Sequence, residues 1–137
     1  MTDSIESLTL KIPSSVEHLT QVESFLDTVA EKHRIEEELY GNILVALSES
    51  VNNAILHGNQ SEESKEVTLL FTIEENQIRI KVSDEGPGFD YENLPDPTAP
   101  ENLTKPGGRG VFLMKQLSDE INFELEGATI EMVFYLA

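Results

Sequence analysis

The sequence predicts an α+β fold, a two-layer sandwich with helices on one face of a largely antiparallel, mixed sheet. Three observations predict it. Apolar residues recur at helical spacing through two long stretches before residue 60. Two pairs of β-branched-rich runs follow, each pair joined by a short turn. A brief third helical stretch separates the pairs, so helices and hairpins are grouped rather than strictly alternating as in parallel α/β chains.

The elements follow in order. Leu8, Leu10 and Ile12 alternate within LTLKIPS, residues 8–14, as an opening strand requires. Val16, Leu19, Val22, Leu26 and Val29 then recur at helical spacing, with Ser14 or Ser15 as the N-cap after Pro13. A longer helix runs through EEELYGNILVALSESVNNAILHGN. Its stripe is Leu39, Ile43, Leu47, Val51 and Ala54 or Ile55, and Gly58 with Asn59 ends it. EVTLLFTI and QIRIKVS, joined by EEN, form a hairpin. Residues 91–108 hold four of the six prolines and show no period, a length that marks functional lids or disorder. GVFLMKQLSD is a short helix, and EINFELE and ATIEMVFYLA close the chain as a hairpin about Gly127.

Bulk properties narrow the function. At 137 residues the expectation is one domain, 1–137, with a sizeable core. No apolar run is long enough to span a membrane, and the acidic start MTDSIESLTL does not read as a signal peptide. With no cysteine there are no disulfides and no thiolate metal sites, so the expected location is the cytoplasm. Nine Lys and Arg against 26 Asp and Glu give a formal charge of −17. Such a surface repels polyanions, which excludes general nucleic-acid binding. It serves solubility, or steers in a basic protein partner.

Three clusters carry chemistry. In SESVNNAILHG, Glu49 and Asn53 are four residues apart and share a helix face, which His57 continues. An amide oxygen at Asn53 suits Mg²⁺, which takes phosphate oxygens and water for its other ligands. A carboxylate one turn earlier can accept the proton of an attacking hydroxyl or water. Taken alone, the pair also fits a solvated helix face, and His57 a dipole-favoured position near a helix end.

In VSDEGPGFD, Asp84 ends a strand and Gly86 and Gly88 follow. A short acid at a pocket floor accepts well from an exocyclic amine such as N6 of adenine. Guanine would set a carbonyl against it, a mismatch worth about 1–3 kcal/mol or more. Calcium does not fit, because the third, fifth and twelfth positions counted from Asp84 are Gly86, Gly88 and Pro95. A plain glycine turn remains the simpler alternative. In KPGGRGVFLM, glycines at 107, 108 and 110 precede a helix whose free N–H groups can meet phosphate, beside Lys105 and Arg109. The string is neither a P-loop nor a Rossmann fingerprint.

The three clusters in this order resemble the GHKL ATPase superfamily. ESVNNAILHG is similar to its N box, DEGPGF to its first glycine box and GGRGVFLM to its second, and the likeness extends over nearly the whole chain. Within it, LSESVNNAILHGN most resembles the bacterial anti-sigma serine kinases of the RsbW and SpoIIAB type. The resemblance implies a Bergerat-type ATP-binding fold with ATP or ADP and Mg²⁺. It implies Glu49 as catalytic base and Asn53 as Mg²⁺ ligand. Asp84 would read the adenine amine, and Gly86 and Gly88 would shape the pocket. Residues 91–108 would be the ATP lid, with Lys105, Gly108, Arg109 and Gly110 at the phosphates. It further implies a homodimer that binds a sigma factor and phosphorylates a serine or threonine of a small antagonist protein. The alternative is a nucleotide-dependent binding module with a different partner, which would have no need of a base at Glu49.

Overall fold

The computed structural model describes residues 4–92 and 109–136. Most of the segment expected to form a lid, with Lys105 and Gly108, lies outside the described residues. The elements are β1 (Ser4–Pro13), a 3-10 turn (Val16–His18), α1 (Leu19–His33), α2 (Glu37–Asn53), a π-helical turn (Ala54–Gly58), β2 (Glu66–Glu74), β3 (Gln77–Ser83), α3 (Arg109–Leu117), β4 (Glu120–Glu124) and β5 (Thr129–Tyr135).

The five strands form one sheet in the order β1-β2-β3-β5-β4. All four pairings are antiparallel, so the expected mixed character is absent among the described residues. The reason lies in the connections. β2–β3 and β4–β5 are hairpins, and β5 enters between β3 and β4 running against both.

Period-two alternation sets the inner face. Val67, Leu69, Phe71 and Ile73 of β2 are buried while their neighbours are not, and Ile78, Ile80 and Val82 repeat this on β3. Registered pairs extend the rows across the sheet: Leu10, Leu69, Val82, Ile130 and Phe123 in one, and Leu8, Phe71, Ile80, Met132 and Ile121 in the next. α1 supplies Val22, Leu26 and Val29, and α2 supplies Ile43, Ala46, Leu47 and Val51 to the same core. Phe25 meets Phe71 edge-on at 5.1 Å between centroids. α3 adds Val111 and Met114 and packs on α2. The outer face is mostly polar, with Leu70 and the buried Val133 as apolar exceptions. There Glu131, 5% exposed, accepts from Arg79 at 3.3 Å and Asn122 at 3.0 Å.

Two details differ from the periodic reading. Val16 falls in the 3-10 turn and is half exposed, so the first stripe starts at Leu19. Neither serine caps α1 through its side chain: Ser15 makes no cap bond, and the Ser14 hydroxyl is buried and donates to the Lys65 carbonyl at 2.7 Å. At its far end α1 is tied to β1. The Glu6 carboxylate accepts from Lys32 at 2.5 Å and lies 2.8 Å from His33 Nε2. These contacts, the Lys32 bond foremost, hold the Glu6 carboxyl below its usual range.

Candidate functional site

The site begins where α2 changes pitch. After Asn53 the helix widens into the π turn Ala54–Gly58, and such bulges are frequent at functional sites. The Asn59 N–H then bonds the Ala54 carbonyl at 2.8 Å, and the left-handed residues that reverse the chain are Gln60 and Ser61. Gly58 and Asn59 therefore do not form the expected glycine cap. Asn59 is wholly buried and acts through its amide. Its Nδ2 donates to Ser14 Oγ at 2.8 Å and to the Glu66 carbonyl at 3.1 Å, while its Oδ1 accepts from the Glu85 N–H at 2.7 Å. One side chain thus joins the end of β1, the start of β2 and the loop after β3 to the end of the helix. Asn59→Ala is expected to cost roughly 2–3 kcal/mol in urea unfolding, since several buried polar groups lose their partner together.

That tie holds the acidic glycine loop against the helix. The Asp84 N–H donates to the Ala128 carbonyl at 2.9 Å, and Asp84 Oδ1 accepts from the Gly86 N–H at 2.7 Å. Oδ2 has no hydrogen-bond partner among the described residues. A Cβ on Gly58 would stand 2.2 Å from it, and one on Gly86 would stand 2.1 Å from the Gly58 carbonyl. Both positions therefore require glycine for close approach. Burial raises the Asp84 carboxyl pKa, and the Gly86 N–H opposes that rise only in part. Gly88 adopts φ +88°, with the Glu126 carbonyl where a side chain would begin.

Across the cavity, Glu49 and Asn53 stand on one face of α2, as their spacing predicts, and meet the first turn of α3. A Cβ built on Gly110 would lie 3.0 Å from Asn53 Nδ2 and 3.2 Å from Glu49 Oε2. Glycine at 110 lets the helix start reach the acid–amide pair. Among the described residues no cluster of three His, Cys, Asp or Glu could hold a metal. The donor set still fits Mg²⁺, which needs few protein oxygens once phosphate and water fill the rest.

These parts enclose a cavity of about 370 Å³. Of the sequence-predicted residues, Asn53, Asp84, Gly88, Arg109 and Gly110 line it. Glu49 stands beside Gly110 without lining it, and Gly86 backs Asp84 from behind. Sequence reasoning missed several linings. Val82 and Ile130, a registered pair, form its buried apolar floor with Ala54. Ser50 joins them, with a buried hydroxyl. Phe89 closes one side, edge-on to Phe123 at 6.0 Å, while Tyr91 stacks on Phe123 at 4.3 Å and 8°. The floor could have been found from the strand alternation that puts Val82 on the inner face. Nothing in the sequence marks Ser50.

The chain matches the histidine kinase-like ATPase domain family over residues 12–134. It is similar to the serine-protein kinase RsbW of Oceanobacillus iheyensis, 31% identical over 93% of this chain and 85% of the relative. It is also similar to RsbW of Listeria monocytogenes serovar 1/2a, 27% identical over 96% of this chain and 88% of the relative. RsbW of Bacillus cereus strain AH820 is 28% identical over 99% and 89%.

Proposed function

The chain belongs to the histidine kinase-like ATPase domain family, among the RsbW-type proteins, and on that premise we propose that it is an ATP-dependent protein serine/threonine kinase and anti-sigma factor. It switches between a sigma factor and a small antagonist protein, which it phosphorylates. The observation that carries this reading is a cavity lined by the half-buried acid Asp84 and by Asn53, with Glu49 beside Asn53 at the start of α3.

The residues divide the work. Asp84 accepts from the adenine amine, with Gly88 beside it and Gly86 fixing the carboxylate. Gly110 and Arg109, in the first turn of α3, meet the phosphates with Lys105 and Gly108, and residues 91–108 act as the lid. Asn53 holds Mg²⁺, which when bound neutralises phosphate charge. Glu49 takes the proton of the antagonist's hydroxyl. The hydroxyl oxygen bonds to the γ-phosphorus as the bridging P–O bond breaks and ADP leaves. Positioning and charge neutralisation supply most of the acceleration. The protein acts as a cytoplasmic homodimer of single-domain chains.

The test is capture of partners from the host lysate in Mg·ATP and in Mg·ADP, with serine and threonine phosphorylation scored by mass spectrometry. A sigma factor, plus a small protein phosphorylated only with ATP, is the expected result. Nucleotide binding with neither partner recovered would overturn the switch and leave a regulator of another client.

A further inference from the structure

Ser50 lines the cavity and is 1% exposed, and its hydroxyl has no hydrogen-bond partner among the described residues. A buried polar group without a partner is rare and costly, and calls for an explanation. Within a helix a serine commonly bonds the carbonyl four residues back, yet this one does not. Its position says what it faces. Ser50, Asn53, Ala54 and His57 recur at intervals of three, one and three residues, so they form one helical row along the cavity wall. Asn53 and the exposed His57 belong to the open part of that row. Ser50 and Ala54 are buried and share the deep end with Val82 and Ile130. Asp84 follows Val82 by two residues, on the same side of the extended strand's end.

We propose that the Ser50 hydroxyl donates to N1 of the adenine ring, directly or through one bridging water, and is with Asp84 a specificity-determining residue of this pocket. The inference rests on the adenine reading above. Adenine presents two adjacent groups on this edge, the N6 amine as donor and N1 as acceptor. Asp84, a carboxylate, can serve only the first. Among the buried linings Val82, Ile130 and Ala54 offer no side-chain polar atom, so N1 would enter an apolar floor unpaired. The serine hydroxyl, both donor and acceptor, supplies the missing donor and gains the partner it lacks. Two unpaired buried groups are thereby satisfied by one contact, an arrangement worth more than the same bond between solvated partners.

The experiment compares ADP with 1-deaza-ADP, in which N1 is replaced by CH, on the full chain and on Ser50→Ala, by calorimetry. ADP affinity should fall roughly three- to tenfold in the variant, the worth of one hydrogen bond. The two proteins should bind 1-deaza-ADP equally, and the natural chain should itself prefer ADP. Alanine is the best helix former and removes an unpaired hydroxyl, so the variant's melting temperature should hold or rise. Equal ADP affinity in both proteins would overturn the proposal, as would an equal loss for both ligands, which would mark a packing effect. Failure of the natural chain to bind ADP at all would instead overturn the adenine reading beneath it.

Discussion

Asp84→Asn is expected to weaken nucleotide binding about a hundredfold while leaving the fold as stable or more so. The carboxylate sits where burial disfavours its charged form, and its one bond among the described residues, from the Gly86 N–H, only partly offsets this. A folded-state pKa raised above 3.8 means that the protonated form suits the native state better than the unfolded one. The penalty is fully present above the folded pKa and is relieved as pH falls through it. Asparagine copies the neutral form and keeps an oxygen for the Gly86 N–H. At neutral pH its melting temperature should match or exceed that of the natural chain. The advantage should shrink as both are acidified through the natural carboxyl's raised titration. Binding moves the other way, because an amide N–H₂ turned toward the adenine amine sets donor against donor. Sites built to bond a ligand group discriminate steeply when that pairing fails, so ADP affinity should drop about a hundredfold. Retained affinity would show that the carboxylate does not read the base. A fall in melting temperature of several degrees would show that it is a structural acid instead.

Much of this site was legible because its parts follow periodic rules. Spacing alone put Glu49 and Asn53 on one helix face, whereas strand alternation turns Val82 inward ahead of Asp84 without marking it as part of the site. The hairpins, the three helices and their order were legible for the same reason. Pairing direction was less so, because a strand run does not state which neighbours it will have. What escaped depends on contacts between distant segments. The apolar stripe through Val51, Ala54 and Ile55 reads alike in an α-helix and a π turn, so the change of pitch left no mark. Asn59 looked like a helix terminator, and only the fold shows its amide joining three segments. Gly86 was expected to shape the pocket, and the close neighbour it accommodates is the Gly58 carbonyl. A glycine's reason for being small is set by what packs against it, which local sequence does not record.

The largest loss is expected of Glu49→Gln, in phosphoryl transfer and not in binding. The glutamate is partly buried beside the first turn of α3, with Oε2 3.2 Å from where a Gly110 side chain would begin. Glutamine keeps the shape and one acceptor oxygen there, so the approach of α3 to α2 has no steric reason to change. What it lacks is basicity. General base catalysis typically contributes about 10²–10⁴-fold, and transfer should fall within that range. ADP affinity should stay within about threefold, because the change touches neither Asp84 nor the apolar floor. Single-turnover transfer to the captured antagonist, paired with ADP calorimetry, separates the two quantities. Transfer that survives would assign the proton to another group. A parallel collapse of ADP affinity would make Glu49 a residue that builds the site. Transfer lost with binding intact is the outcome that a positioned base predicts, and a binding module without chemistry would have no transfer to lose.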